Sequence, residues 1–413
     1  MPESSSPASN PLLQAAPETR PALHRGTRLI HGGRPLADAP RPVNVPVVRT
    51  STVLFSSTGQ MADVHARRAQ GQRTLSYGRK GTPTAHALED ALVELEGGAH
   101  AALFPSGLAA IASVFQAYLR PGDHVLIADS VYGPVRRVVD KFLRPFGIQH
   151  EFFVPDAQGL PALIRPNTRL IYGESPGSLA YELMDLPAIA AVARPRGIPI
   201  AIDNTWSSGW LHNPLSLGAD ISILAATKYI VGHSDVMMGA VVTSAHAWPA
   251  LADILSATGQ IASPDDAYLA LRGLRTLGVR LEAHQRHATR VAAWLKTRPE
   301  LRQVLYPALP EHPDHALWLR DFTGACGLLT IELQAAYAGR TAAFIDALRL
   351  FGLGASWGGF ESLVYPADVA AARTLSDWSG RGPFLRLHIG LEDPEDLIDD
   401  LRRALDALAP AMP

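Results

Sequence analysis

Lysine is scarce in this chain of 413 residues. Of 37 Lys and Arg, only Lys80, Lys141, Lys228 and Lys296 are lysine. Chemistry that needs a reactive primary amine therefore has four candidates. Cysteine is scarcer. The lone Cys326 excludes an internal disulfide framework and a multi-cysteine metal site. Its setting, GACGLLTIEL, reads as a small core residue in a buried strand. Charged residues are 18% of the chain and the formal net charge is −2. Without a basic excess to meet phosphates, nucleic-acid binding is set aside. No apolar run approaches the ~18–20 residues of a membrane span. Residues 1–25 are rich in Ser, Pro and Ala and lack the pattern of a secretory leader. They read as a disordered or loosely docked arm. The expectation is a soluble, cytoplasmic globular protein of roughly two or three domains.

From about residue 84 to 245, helical and strand patterns alternate. Helices are expected at 84–96, 106–119, 135–147 and 186–197, and strands at 101–104, 124–129, 169–174, 198–203, 221–227 and 239–244. Continuous apolar strands between amphipathic helices imply a mostly parallel sheet covered on both faces. Such sheets place ligands at the carboxyl ends of their strands. A long helix is expected over 265–295. Beyond it, strands at 304–306, 327–333 and 384–390 and helices at 341–350 and 394–408 suggest a smaller α+β unit. Residues 26–80 show little periodicity. The expected division is an N-terminal arm and clasp (1–80), a large α/β domain (81–275) and a C-terminal α+β domain (276–413).

Three lysines have ordinary settings. Lys141 lies on a solvated helix face, Lys296 at a polar helix end and Lys80 in an irregular loop. Lys228 follows the apolar run ISILAAT. Burial there lowers an amine's pKa and makes it a nucleophile, as a Schiff-base lysine requires. A side chain reaching out to water fits the same pattern. Asp203 ends another apolar strand, 25 residues earlier. It suits a metal ligand, a helix N-cap or a partner for a buried cation. Ser106-Gly107-Leu108 lies in a strand-to-helix turn, FPSGLAA, where backbone N–H groups can meet an anion. A serine N-cap without a ligand explains it equally. Tyr132 follows a strand and could stack on a flat ring or simply pack. Tyr77 and Arg79 suit phosphate. Arg386, inside an apolar strand, requires an anionic partner, either a structural carboxylate or a substrate's.

Together these segments resemble the Cys/Met-metabolism family of fold-type I pyridoxal 5'-phosphate enzymes, in its bacterial β-lyase branch. The resemblance runs from about residue 26 to 410. It is carried by SYGRKGTPT, LEGGAHAALFPSGLAA, ESPGS, IDNTW, AATKYIVGHSD, RGLRTLGVRL, PALPEHPDH, SWGGFESL and RLHIGLED, in that order. It implies a fold-type I α/β architecture, with a large, mostly parallel seven-stranded sheet and a smaller C-terminal α+β domain. It also implies a role for each candidate. Lys228 attaches the cofactor, Asp203 pairs with its pyridine nitrogen and Tyr132 stacks on its ring. Ser106, Gly107, Leu108 and Thr227 serve its phosphate. Tyr77 and Arg79 reach the phosphate of a neighbouring subunit's cofactor. Arg386 holds the substrate carboxylate, with Ser356, Trp357 and Tyr132 close by.

The implied activity is cleavage of the Cβ–S bond of L-cystathionine, a step of methionine biosynthesis. The implied assembly is a homodimer with shared sites, paired into a tetramer, acting on a small sulfur amino acid without membrane or metal. Ser178 in ESPGS and Trp357 in SWGGFESL favour β-elimination. A γ-lyase, a γ-synthase, a cysteine desulfhydrase and a non-catalytic, regulatory cofactor-binding protein are the alternatives. Three departures loosen the substrate assignment: Ala355 before Ser356, Ala225 in place of a serine, and no tyrosine in 255–263.

Overall fold

The computed structural model describes residues 23–34 and 40–408. The expected arm at 1–25 falls largely outside them. Among the described residues the first sheet has seven strands: β1 (His100–Phe104), β2 (His124–Ala128), β3 (Gln149–Phe153), β4 (Thr168–Glu174), β5 (Ile200–Asp203), β6 (Ile221–Leu224) and β7 (Gly239–Thr243). Their spatial order is β1-β7-β6-β5-β4-β2-β3. β6, β5, β4, β2 and β3 are parallel, and β7 is antiparallel to both its neighbours. β2, β5, β6 and β7 are buried along their whole length. That is why they read as apolar runs rather than alternating patterns.

Helix starts and stops follow local chemistry. α1 (Arg25–His31) and α2 (Thr58–Ala69) precede the sheet. α3 (Pro83–Glu96) begins with proline in its first turn and ends at Gly97 in the left-handed region, φ 70°. α4 (Gly107–Tyr118) is capped by Ser106, whose Oγ accepts from Ala109 N–H. α5 (Gly133–Val138) widens at 139–143, where Arg144 N–H donates five residues back to Val139. α6 (Leu160–Leu163) and α7 (Leu186–Ala193) follow. α8 (Trp248–Thr258), α9 (Pro264–Leu274) and α10 (Leu277–Leu295) lead away from β7.

Several expectations need correction. Residues 26–80 contain α1 and α2. The helix expected over 265–295 is two helices. They break at Arg275-Thr276, where the Arg275 guanidinium turns to the carbonyls of Leu29 and Gly32 at 2.6 and 2.7 Å. The strand expected to run to residue 227 stops at Leu224. There Ala225 N–H leaves the ladder for Thr205 Oγ1 at 2.8 Å. Lys228 therefore stands in the turn after the strand. β3 and α8 are additional to the elements expected from the sequence.

The second sheet has five strands among the described residues, in the order β10-β11-β12-β9-β8. They are β8 (Leu301–Leu305), β9 (Leu328–Leu333), β10 (Gly352–Leu353), β11 (Leu363–Ala367) and β12 (Phe384–His388). It is antiparallel apart from the β10–β11 pair. α11 (His315–Asp321), α12 (Thr341–Ala347) and α13 (Pro394–Asp406) complete the chain. β12 is central. Leu385 and Leu387 are fully buried on one of its faces, and Arg386 projects from the other between Thr330 of β9 and Tyr365 of β11. No helix of the described residues is long and apolar enough to cross a membrane.

Candidate active site

The carboxyl ends of β2, β4, β5 and β6 converge on one edge of the first sheet. Asp203 is the last residue of β5 and is buried. Its Oδ1 accepts from Thr205 N–H at 3.0 Å. Burial raises the Asp203 pKa, against hydrogen bonds from Thr205 and the charge of Lys228. Lys228 responds in the opposite sense. Burial, and then Arg386, lower its amine to about 8, and Asp203 alone opposes them.

A loop from the second sheet closes over Lys228. Lys228 Nζ donates to Ser356 Oγ at 2.5 Å and lies 5.3 Å from the centre of the Trp357 ring. Arg386 donates to the Ser356 carbonyl at 3.0 Å. Ser356 holds φ at +83°, a strained value for a residue with a side chain, and both contacts fix it there. Gly358 must be glycine, because a Cβ would lie 2.9 Å from the Lys228 carbonyl carbon. Arg386 lies over Tyr365, with its guanidinium carbon 5.3 Å from the ring centre.

Two charges in this cluster lack ionic partners. Among the described residues, no ion pair includes Asp203 and none includes Arg386. A buried carboxylate without an ionic partner suits a cationic group, and an unpaired guanidinium suits a carboxylate. Both act on Tyr132, which is half-exposed: burial, Glu174 and Asp203 raise its pKa and Arg386 opposes them. On the same edge the N-terminus of α4 presents Ser106, Gly107 and Leu108. Gly107 packs so close to Ala225 that a Cβ would meet the alanine methyl at 2.7 Å. This donor set fits pyridoxal phosphate: an amine, a carboxylate, a stacking ring and a helix N-terminus for phosphate.

Thr227 and the Tyr77–Arg79 pair behave differently. The Thr227 hydroxyl is already engaged, accepting from Met238 N–H at 2.8 Å and donating to its carbonyl at 3.1 Å. Tyr77 and Arg79 line a cavity of about 510 Å³ that includes none of Asp203, Tyr132, Lys228 or Arg386. The chain does not bring these two residues to its own cluster. Cys326 is buried and its thiol is pushed up to about 12 by desolvation, in keeping with a core position. Thr205, Tyr365 and Glu174 join the cluster although none of them is expected there from the sequence. Glu174 is visible in the sequence only as the polar end of an apolar strand, in the ESPGS motif.

The model of the family described as "Cys/Met metabolism PLP-dependent enzyme" matches residues 26–406. The chain is 48% identical to a cystathionine beta-lyase of Bordetella avium, over 89% of this chain and 93% of that protein. It is 42% identical to a cystathionine beta-lyase of Escherichia coli K12, over 91% and 96%. The crystal structure of metB from Corynebacterium glutamicum superposes with a TM-score of 0.85 at 32% identity, over 94% of this chain and 99% of that one. With its fold-type I architecture and a site edge suited to pyridoxal phosphate, the chain belongs to the Cys/Met metabolism family of PLP-dependent enzymes.

Proposed function

We propose that this chain is a carbon–sulfur β-lyase that converts L-cystathionine and water to homocysteine, pyruvate and ammonia. The observation that carries the reading is the 42–48% identity to proteins named cystathionine beta-lyase across about nine-tenths of the chain. The paired placement of Lys228 and Arg386 on Ser356 supports it.

Pyridoxal phosphate, when bound, supplies a ring that accepts negative charge developing at the substrate Cα. The chain's residues do the rest. Arg386 takes the substrate α-carboxylate as a bidentate partner. That fixes Cα relative to Lys228, because Arg386 and Lys228 share Ser356. Lys228, neutral in part at physiological pH, removes the Cα proton and returns a proton to the departing sulfur. Ser356 Oγ aims the amine. Asp203 holds a proton at the pyridine nitrogen, and Tyr132 covers the ring. Ser106, Gly107 and Leu108 bind phosphate through backbone N–H groups at the α4 N-terminus, with Thr227 at its edge. Trp357 excludes water beside the amine. Ala355, exposed next to Ser356, leaves the entrance wide.

The proposal includes a cytoplasmic location and a homodimer, paired into a tetramer, in which Tyr77 and Arg79 serve the neighbouring subunit's phosphate. It also includes the division at residues 80 and 275. The helix break at Arg275-Thr276 and the second sheet's start at Leu301 support that division. The test is product identity from purified protein and L-cystathionine. Pyruvate with homocysteine is the expected result. 2-Oxobutyrate with cysteine would replace this reading with γ-elimination.

A further inference from the structure

Glu174 takes no part in the steps above, yet it stands inside the cluster. It ends β4 directly opposite Asp203 at the end of β5. Partners in register on parallel strands project to the same face, so two carboxyl groups stand side by side. Their surroundings differ. Asp203 has the Thr205 N–H at 3.0 Å, the Thr205 hydroxyl and the attraction of Lys228. Glu174 has one backbone donor, the N–H of Tyr132, at 2.6 Å from Oε2.

The other charged groups facing Glu174 do not change this balance. Arg373 is the cation that acts on Glu174, but its guanidinium is bound to Glu182 at 2.7 and 2.8 Å and to the Ser178 carbonyl at 2.6 Å. Glu182 itself adds like charge. Burial, and then Asp203, push Glu174 well above the usual carboxylate range, against the Tyr132 bond and Arg373. When neighbouring carboxyl groups compete, the proton settles on the one with fewer donors.

Tyr132 depends on this contact. It precedes α5 as the N-cap, and no side-chain hydrogen bond caps that helix. Its side chain is half-exposed, so its backbone anchor sets where the ring lies.

We propose that Glu174 is a positioning residue acting as a neutral carboxyl: Oε2 fixes the backbone of Tyr132, and Asp203 is left as the charged member of the pair. The inference rests on the pyridoxal phosphate reading. It extends that reading to a residue that the steps above do not use.

The experiment titrates pyridoxal 5'-phosphate into full-length, cofactor-stripped wild-type, Glu174→Ala and Glu174→Gln proteins. Affinity is read by fluorescence, and ring placement by visible circular dichroism of the bound cofactor. Glu174→Ala removes the anchor and should weaken binding about tenfold and reduce the dichroic band. Glu174→Gln keeps an acceptor and carries no charge. It should recover affinity to within about threefold of wild type and restore the band. Loss in Glu174→Gln equal to that in Glu174→Ala would overturn the proposal, because a charged carboxylate would then be required. Wild-type behaviour of Glu174→Ala would overturn it as well. If Glu174→Ala does not fold, Glu174→Gln decides alone, with tenfold weakening counting against the proposal. Failure of the underlying reading looks different: wild-type protein would take up no pyridoxal phosphate.

Discussion

At Lys228, burial and the Arg386 guanidinium act against the ammonium form and only Asp203 favours it. A pKa of about 8 leaves about 10% of the amine neutral at pH 7, against less than ~0.1% for an unperturbed lysine. In cofactor-stripped protein, modification by an amine-directed reagent should therefore rise with pH and half-titrate near 8 at Lys228. Peptide mass spectrometry reads this residue by residue. A midpoint above 10 at Lys228 would contradict the burial argument. Stability moves in the same direction. Below about 8 the folded and unfolded states both carry the proton, and the folded state bears the full cost of burying it. That cost is relieved as pH rises from there towards the unfolded value of 10.5. Scarcity of lysine narrowed the search to this amine, but the loop that aims it was hidden. Ser356 and Lys228 are 128 residues apart in sequence, and no local pattern joins them.

At the scale of elements, the site edge depends on a segment tied down from outside the first sheet. Asp129, just beyond β2, accepts from Thr374 N–H at 2.9 Å, Thr374 Oγ1 at 2.6 Å, Leu375 N–H at 2.9 Å and Arg136 at 2.6 Å. Burial pushes its pKa up, but these bonds outweigh burial and hold it below the usual aspartate range. Its contribution is present at neutral pH and is lost as pH falls through that lowered value. Asp129→Ala strands the Arg136 charge and two backbone donors, and should cost about 2–4 kcal/mol in urea unfolding. Amide exchange at Thr374 and Leu375 should accelerate. An unchanged midpoint would show that the segment is held elsewhere. Elements with strong local signals were legible: α3 and α4 matched their expected spans because Thr82 and Ser106 cap them. α2 was not legible because only Val64 on it is buried, so it carries no apolar stripe. Its real signature was the cap, with Ser57 Oγ accepting from Gln60 N–H and Gln60 Oε1 accepting from Ser56 N–H. The early end of β6 was illegible for another reason. A side chain from residue 205, rather than the apolar run itself, decides where that strand stops.

At the scale of the whole molecule, the face around Tyr77 and Arg79 is unfinished. Ile261 is 47% exposed and Tyr77 44%, both on the wall of a cavity lined also by Arg68, Arg79 and Lys80. None of those three cations has a carboxylate partner among the described residues, whereas Arg73 nearby takes Glu89 and Asp90. Bare apolar side chains next to unpaired cations fit a surface that a second copy covers and supplies with an anion. The phosphate held at that copy's α4 N-terminus is the anion proposed above. The arrangement makes a sharp prediction for mixed assemblies. Lys228→Ala subunits should be inactive, and Arg79→Ala subunits should retain cofactor poorly. In a hybrid dimer, the Arg79→Ala subunit keeps its own Lys228 and receives an intact Arg79 from its neighbour, so one of the two sites is whole. Random pairing of equal amounts makes half the dimers hybrid, which should restore about 25% of wild-type activity. Exchange is verified by native mass spectrometry before the assay. Hybrids that form but stay inactive would mean that Arg79 serves its own chain, and the unfinished face would then need a different occupant.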